Sequence, residues 1–394
     1  MMETELKNSC NLYILLWCIY ALHGFLYESG ATWSIVILIS LIVWSIYHFF
    51  KVNKKRHSPD FFGGATLLLA MIVLYGIILY ITDGSYTTTL KGDKVASYYY
   101  LEKHLISILP IYSFYYFAQK GLLDEKHLRI WFFIFIAVGI GEYIRESNEM
   151  IARYTYNVKD ADEITNNGGY IIAYLIPGTF LFRKKPALQF TLLVLCEFFV
   201  FYSIKRGAII ISLLPIIMFL WFSLKEKKGS NKISIMIIAV IGFYVLAYYI
   251  GNYISHNDYF QYRIQETLEG NSSRRDILYE SFIDVFTNKS SLFNQLFGHG
   301  ANGSLKVSFN YAHNDWLEIL TNQGVLGVLV FLYYWKSFFK TSKSRLLTYD
   351  SRYIILCFFC FFLLQTLFSM NINEMTFYTS SVLGLALANG FEKK

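Results

Sequence analysis

The chain has 394 residues, of which 55% are hydrophobic and only 16% are charged. Soluble proteins carry about a quarter charged residues, so this composition excludes an ordinary soluble domain. The net charge of +7 does not indicate a nucleic-acid-binding protein, because the Lys and Arg residues form short clusters between apolar runs. Such clusters are typical of the cytoplasmic loops of a membrane protein.

Twelve apolar runs are long enough to be membrane helices, and polar segments separate them. They occupy residues 11–26, 32–50, 62–82, 104–119, 130–144, 170–182, 188–203, 207–224, 233–250, 317–335, 353–369 and 376–391. We therefore predict an all-α, polytopic integral membrane protein, with residues 1–394 forming a single transmembrane domain of about twelve helices. The strongly basic loop at residues 51–56 predicts that both termini are cytoplasmic.

Polar segments on the predicted external side are longer than the cytoplasmic loops. The longest, residues 251–316, separates the ninth and tenth spans, and we predict that it is a periplasmic loop carrying site residues. Within it, Asn271, Ser272 and Ser273 precede a run with helical apolar spacing, which predicts the start of a helix near Arg275.

His313 and Asn314 stand where this loop meets the tenth span. His313 precedes the predicted helix, whose positive N-terminal end favours a neutral imidazole, the form needed by a general base. Gly324 and Gly327 are three residues apart, so a continuous helix would place them on one face for close packing. The plainer interpretation is an interfacial histidine with ordinary packing glycines.

Positive residues on the predicted external side are candidate anion ligands. Lys205 and Arg206 stand between the seventh and eighth spans, and Arg274 and Arg275 stand in the long loop. An arginine fork can bind phosphate in bidentate fashion. The alternative interpretation is that these side chains reach the lipid headgroups or pair with nearby acidic residues. All five cysteines fall in apolar runs and fit small packing residues, so no metal site or cofactor is predicted.

These motifs together resemble the O-antigen ligase and Wzy-type polysaccharide polymerase superfamily. The family's signature of His-Asn, nine residues, Gly, two residues and Gly is similar to His313, Asn314, Gly324 and Gly327. Two further blocks resemble those of the family, and both occur in the family's order. They are Ser203–Gly207, in which Arg206 is the equivalent arginine, and Arg275 with Leu278-Tyr279 and Phe297-Gly298-His299-Gly300.

The resemblance implies a metal-independent, inverting glycosyltransferase on the periplasmic face of the bacterial inner membrane. His313 would be the general base, and Arg206 and Arg275 would neutralise the diphosphate leaving group. Asn314, Arg274 and Lys205 are the expected substrate-binding residues. The implied partners are an undecaprenyl-diphosphate-linked oligosaccharide donor, a glycan or lipid A-core acceptor, membrane lipids, a chain-length regulator and a flippase, without nucleic acid.

Several functions fit this reading. Our first expectation is a polymerase of O-antigen or capsule-like repeat units, and the alternative is an O-antigen ligase that transfers finished glycan to lipid A-core. A polysaccharide transporter or flippase would also have about twelve spans, but would need ionisable residues near the bilayer midplane and internal symmetry. Glu197 and Glu142 are the only good candidates for such residues. A non-enzymatic assembly partner would tolerate loss of His313.

Overall fold

The computed structural model describes residues 2–26, 32–54, 58–155, 168–203, 205–226, 275–308, 310–367, 369–370 and 377–391, with scattered positions between 237 and 265. In these residues the protein is almost entirely helical, and its one sheet has two short antiparallel strands. The predicted all-α class is therefore consistent with the structure.

The helices and strands follow one another along the chain with short connections. They are α1 (Met2–Leu26), α2 (Thr32–Asn53), α3 (Asp60–Asp83), β1 (Tyr86–Thr88), β2 (Lys94–Ala96), α4 (Tyr98–Gln119), α5 (Glu125–Thr155), α6 (Gly168–Leu175) with a 3₁₀ extension (Ile176–Phe182), α7 (Pro186–Tyr202), α8 (Arg206–Glu226), α9 (Arg275–Asp284) with a π-helical turn (Val285–Lys289), α10 (Leu292–Phe297), α11 (Gly303–Val307), α12 (Asp315–Ser342), α13 (Tyr349–Gln365) and α14 (Phe377–Leu387).

Four of these segments are long and apolar enough to cross a membrane: Trp33–Asn53, Asp60–Asp83, Glu125–Glu146 and Asp315–Ser342. Shorter apolar helices include Gly168–Phe182, Pro186–Tyr202, Gly207–Phe222 and Tyr378–Leu387. The chain is thus an integral membrane protein by the length and composition of its helices. The predicted count of about twelve spans stays a prediction.

The described contacts divide the chain into two compact units. One unit comprises residues 1–125 and 275–394, and the other comprises residues 126–274. The first unit contains α1 to α4 and α9 to α14, and therefore His313. The second contains most of α5 and all of α6 to α8, and therefore Lys205 and Arg206. The prediction of a single transmembrane domain is not tested by this division.

Helices α3 and α12 form an antiparallel pair in the first unit. They approach closely at Gly64, where a β-carbon would lie 2.9 Å from the Cα atom of Tyr334. At one end of the pair Lys340 forms an ion pair with Asp60 at 3.1 Å. At the other end Lys306, on α11, forms an ion pair with Asp83 at 2.7 Å. The length of α3 separates the two ends by roughly 36 Å, at a rise of 1.5 Å per residue.

Helix α4 lies against α14 and α2 in the same unit. Gly384 of α14 allows the close approach, because a β-carbon there would lie 2.8 Å from the backbone nitrogen of Tyr115. On the α2 side, His48 Nδ1 and Ser113 Oγ form a buried hydrogen bond of 3.0 Å. These contacts fix the position of α4, whose first two turns form one wall of the site described below.

The second unit is built around α7. Gly169 of α6 lies against Ser203, and a β-carbon on the glycine would be 2.6 Å from Ser203 Cβ. Buried Glu197 accepts a hydrogen bond of 2.9 Å from Ser212 Oγ of α8. Glu197 is one of the two acidic residues that the transporter alternative needs, and here it holds two adjacent helices together.

The predicted long loop contains several short helices in its described part. Helix α9 begins at Arg275, as the capping pattern predicts, and α10 and α11 follow it before His313. Residues 257–260, 262–264 and 266–274, which include Arg274, lie outside the described residues. The end of the loop nearest His313 is therefore a folded helical segment.

Candidate functional site

Asn314 is the N-cap of α12. Its Oδ1 accepts hydrogen bonds from the backbone N–H groups of Trp316 at 2.9 Å and Leu317 at 3.1 Å. Its Nδ2 donates to the carbonyl oxygen of Leu367, just beyond α13, at 2.8 Å. Such a cap satisfies backbone donors that a helix leaves without intrahelical partners. These bonds give Asn314 a helix-capping role, and its contact with substrate stays a prediction.

His313 occupies the turn immediately before this cap. Its φ is 49°, in the left-handed region that non-glycine residues seldom adopt. The hydroxyl of Tyr279, on α9, lies 3.5 Å from the His313 carbonyl oxygen. Such backbone strain persists only where neighbouring contacts impose it, and it is frequent at functional sites.

Helix α9 packs directly against the histidine turn. Leu278 and Phe282 of α9 are buried together with Ala312, the residue before His313. Arg275, the first residue of the same helix, is partly buried. The structure therefore brings the helix that begins at Arg275 against the turn that carries His313.

A second clamp on the histidine turn is the buried carboxylate of Glu318. Its Oε2 accepts a hydrogen bond from the backbone N–H of Ala312 at 2.9 Å. Its Oε1 accepts from Ser304 Oγ at 2.5 Å and from Asn322 Nδ2 at 3.0 Å. The Asn322 orientation is set by its Oδ1, which accepts from Ser304 N at 2.9 Å. One side chain thus joins α11, α12 and the turn before His313.

Gly324 interrupts α12 eleven residues after His313. Its φ of 68° and ψ of −163° are not helical, so the expectation that Gly324 and Gly327 share one face of a continuous helix is wrong. The break admits the backbone of the 296–300 turn, whose His299 N–H donates to Thr321 O at 2.8 Å and Gly300 N–H to Asn322 O at 3.0 Å. Gly327 makes room within α12 itself, against Gln323 and Ile319.

His299 lies in this turn, outside the membrane helices. Its Nε2 and Ser290 Oγ are 2.8 Å apart and share a hydrogen bond. Burial lowers the pKa of His299 below its ordinary value of 6.5, because the charged imidazolium loses hydration. These contacts connect the turn to the end of the π-helical segment.

A cavity of about 150 Å³ opens beside His313. Its lining includes side chains of α3, α4, the loop before α11, and α12. The polar and aromatic members are Tyr99, Tyr100, Lys103, His104, Asn302, Tyr311, His313, Asp315, Glu318, Asn322 and Gln323. Burial, reinforced by the negative charge of Glu318, raises the pKa of Tyr311 above 10.0, so its hydroxyl remains protonated and able to donate.

The other predicted site residues are in the second unit or outside the description. Arg206 is the first residue of α8, and its side chain lies outside the described structure. The Lys205 ammonium lies 5.7 Å from the ring centroid of Tyr170, within range of a cation–π contact. Arg274 also lies outside the described residues. The roles predicted for these three residues stay predictions.

Several cavity residues were missed by the sequence interpretation. His104 and Gln323 carry no motif, and they lie far apart in the chain until α3, α4 and α12 pack together. Glu318 had a detectable signal, since an acidic residue within an apolar helix needs a hydrogen-bonded environment. Among the residues that the structure describes, no group of three or more His, Cys, Asp or Glu side chains is arranged to hold a metal ion.

The fold and the site together define an α-helical membrane protein with a polar, histidine-containing cavity near one end of its helices. Residues 190–332 match the family model described as O-antigen ligase. This match contains Arg206, Arg275 and His313, and it supports the O-antigen ligase and Wzy-type superfamily that the motifs predict. The family implies a glycosyltransferase-like ligase or polymerase activity, with a lipid-linked glycan and an acceptor as partners. No curated protein matches the chain.

Proposed function

We propose that the protein transfers a glycan from undecaprenyl diphosphate to a sugar hydroxyl at the periplasmic face of the inner membrane. The single observation that supports this most directly is the His313 turn, held in a left-handed conformation beside a polar cavity. A sugar hydroxyl is a poor nucleophile until its proton is removed, and a histidine in such a place suits that task.

The proposed reaction has one bond-forming and one bond-breaking event. His313 takes the proton of the acceptor hydroxyl, and the oxygen attacks the anomeric carbon of the donor sugar. The bond from that carbon to the diphosphate oxygen breaks, undecaprenyl diphosphate leaves, and the configuration inverts. Arg206 and Arg275 neutralise the charge that develops on the diphosphate, with Lys205 and Arg274 assisting donor binding.

The side of the membrane follows from the antiparallel pair of α3 and α12. The end of α12 at Lys340, which precedes Lys343 and Arg345, carries the basic cluster typical of a cytoplasmic surface. His313 belongs to the opposite end, where Lys306 meets Asp83. The positive-inside rule therefore supports a periplasmic position for His313 and cytoplasmic termini.

Our first candidate within this activity is the repeat-unit polymerase, working with a chain-length regulator and a flippase. The second candidate is the O-antigen ligase, with lipid A-core as acceptor, which the description of the matching family favours. We further propose that neither needs a metal, because the arginines supply the positive charge. Transfer by the purified protein should therefore persist in excess chelator, and its loss would contradict this part of the proposal.

A lipopolysaccharide gel of a deletion strain tests the function and separates the two candidates. Core bearing a single repeat unit, extended to a ladder by the wild-type gene and not by His313→Ala, supports the polymerase. Bare core with accumulated lipid-linked polymer supports the ligase with the same site. The control is His127→Ala, an exposed histidine of α5, with membrane levels checked by immunoblot. A full ladder from His313→Ala contradicts the catalytic role.

A further inference from the structure

The cavity beside His313 is larger than the room that one ordered water needs. Its volume is about 150 Å³, whereas a single water requires roughly 10–15 Å³ on a comparable measure. Its walls come from distant parts of the chain, with Tyr100 and His104 on α4 facing residues of α12. The space is therefore suited to a small organic group rather than to one isolated water.

Two of the lining side chains carry buried polar atoms that lack partners. Gln323 is 3% exposed and Asn302 is 4% exposed. Gln323 Oε1 and Asn302 Nδ2 have no hydrogen-bond partner among the described residues. Gln323 Nε2 contacts the Tyr100 hydroxyl at 2.7 Å. Either orientation of this amide leaves one polar atom unsatisfied, which costs about 1–3 kcal/mol when the group stays unpaired.

His104 adds a defined acceptor to the same cavity. Its Nδ1 is 2.6 Å from the carbonyl oxygen of Tyr100. A carbonyl oxygen only accepts hydrogen bonds, so Nδ1 carries the proton and donates it. In the neutral ring Nε2 is consequently an acceptor. Together with Gln323 and Asn302, His104 provides both donors and acceptors to one ligand.

The charges of the lining indicate which end of the reaction this cavity serves. Asp315 and Glu318 line it, and these two acidic side chains disfavour a diphosphate. Lys103 lies at the rim with its ammonium 6.0 Å from the ring centroid of Tyr311. A sugar ring suits the lining better, because its hydroxyl groups donate and accept while its C–H faces contact aromatic rings.

We propose that this cavity binds the acceptor sugar, with Gln323 and His104 forming hydrogen bonds to its hydroxyl groups beside His313. The inference rests on the proposed glycosyl transfer and extends it to a specific acceptor subsite. Gln323 and His104 bind the acceptor in this scheme, whereas the donor diphosphate is bound by the arginines.

The first test measures binding without transfer. The full chain in phospholipid nanodiscs is titrated calorimetrically with lipid-free oligosaccharide released by mild acid from the lipopolysaccharide of the host strain. Gln323→Leu and His104→Phe should each raise the dissociation constant about five- to tenfold, as expected for loss of one hydrogen bond. The matched control is His48→Gln, a buried histidine of α2 that bonds to Ser113 and does not line the cavity. Unchanged affinity in both cavity variants overturns the proposal.

The second test measures transfer with varied donor and acceptor. The cavity variants should raise KM for the acceptor and leave KM for the lipid-linked donor unchanged. A rise in donor KM alone overturns the assignment. Gln323→Glu and His104→Gln, which preserve side-chain size and polarity, replace any variant whose melting temperature falls sharply.

The two tests distinguish this inference from the proposed function. Oligosaccharide binding that depends on Gln323 and His104, without any transfer by the wild type, supports the cavity and contradicts the function. Transfer by the wild type with acceptor KM unchanged in both variants supports the function and overturns the subsite.

Discussion

Gly324 lies against the backbone at Gly298. A β-carbon on Gly324 would lie 2.6 Å from the backbone nitrogen of Gly298 and 2.5 Å from the carbonyl carbon of Leu296. Gly298 has a φ of 77° and meets the backbone at Asn322 in return. Two segments that are far apart in the chain thus touch through their backbones, and neither position has room for a side chain.

Gly324→Ala should therefore disrupt the site. Its φ of 68° and ψ of −163° lie in a region that only glycine adopts readily, so alanine costs about 1–3 kcal/mol in backbone strain before any collision is counted. We expect a lower melting temperature in detergent and loss of the polysaccharide ladder. The control is Gly63→Ala, whose β-carbon would make an ordinary 3.7 Å contact with the Tyr333 hydroxyl. Equal behaviour of the two variants would contradict the close approach.

The break at Gly324 also marks where sequence-based prediction stops. Apolar spacing around residues 317–335 predicts a helix, and α12 is there, but spacing carries no signal for a single non-helical residue. The histidine turn and the start of α9 at Arg275 were both predictable, because caps and motifs are local. His104 and Gln323 were not, since their proximity depends on the packing of α3, α4 and α12. Asn314 appeared to be a substrate ligand because its motif does not reveal its capping bonds.

Glu318→Gln should weaken the histidine turn although its shape is nearly unchanged. The backbone N–H of Ala312 and Asn322 Nδ2 both donate to the carboxylate, on different oxygens. An amide nitrogen would face one of these donors and leave it unsatisfied, at about 1–3 kcal/mol. We expect a lower melting temperature and slower transfer. Glu280→Gln, an exposed acid of α9, is the control. Wild-type transfer by Glu318→Gln would show that the turn does not depend on this network.

Arg275 offers a test of charge against geometry. Arg275→Ala should reduce kcat about a hundredfold, in the range seen when one donor to a developing negative charge is removed. Arg275→Lys keeps the charge and loses the bidentate fork, so we expect an intermediate rate. Initial rates with lipid-linked donor measure both. The control is Arg345→Ala, in the basic cluster after α12. Equal rates for wild type and Arg275→Ala would remove Arg275 from the mechanism.

His299 should make the protein less stable in acid. Burial lowers its pKa below 6.5, so the unfolded chain takes up a proton more readily than the folded one. Stability from this group is complete above pH 6.5 and is lost as the pH falls through the folded pKa. The drop in melting temperature from pH 7.5 to 5.5 should be smaller in His299→Gln than in the wild type. The same drop in both proteins would assign the acid sensitivity to other groups.

The ion pairs at the two ends of α3 have a consequence for how deeply the reaction lies in the bilayer. Asp60 is joined to α12 and Asp83 to α11, so neither helix can slide along the other without separating charges at an interface. The vertical distance between the basic surface and the histidine is then fixed by the count of residues in α3. Inserting or deleting one helical turn in both α3 and α12 would move the chemistry relative to the headgroups by about 5 Å. A lipid-linked sugar, tethered at one height by its membrane anchor, would meet the histidine only when the helix length matches the bilayer.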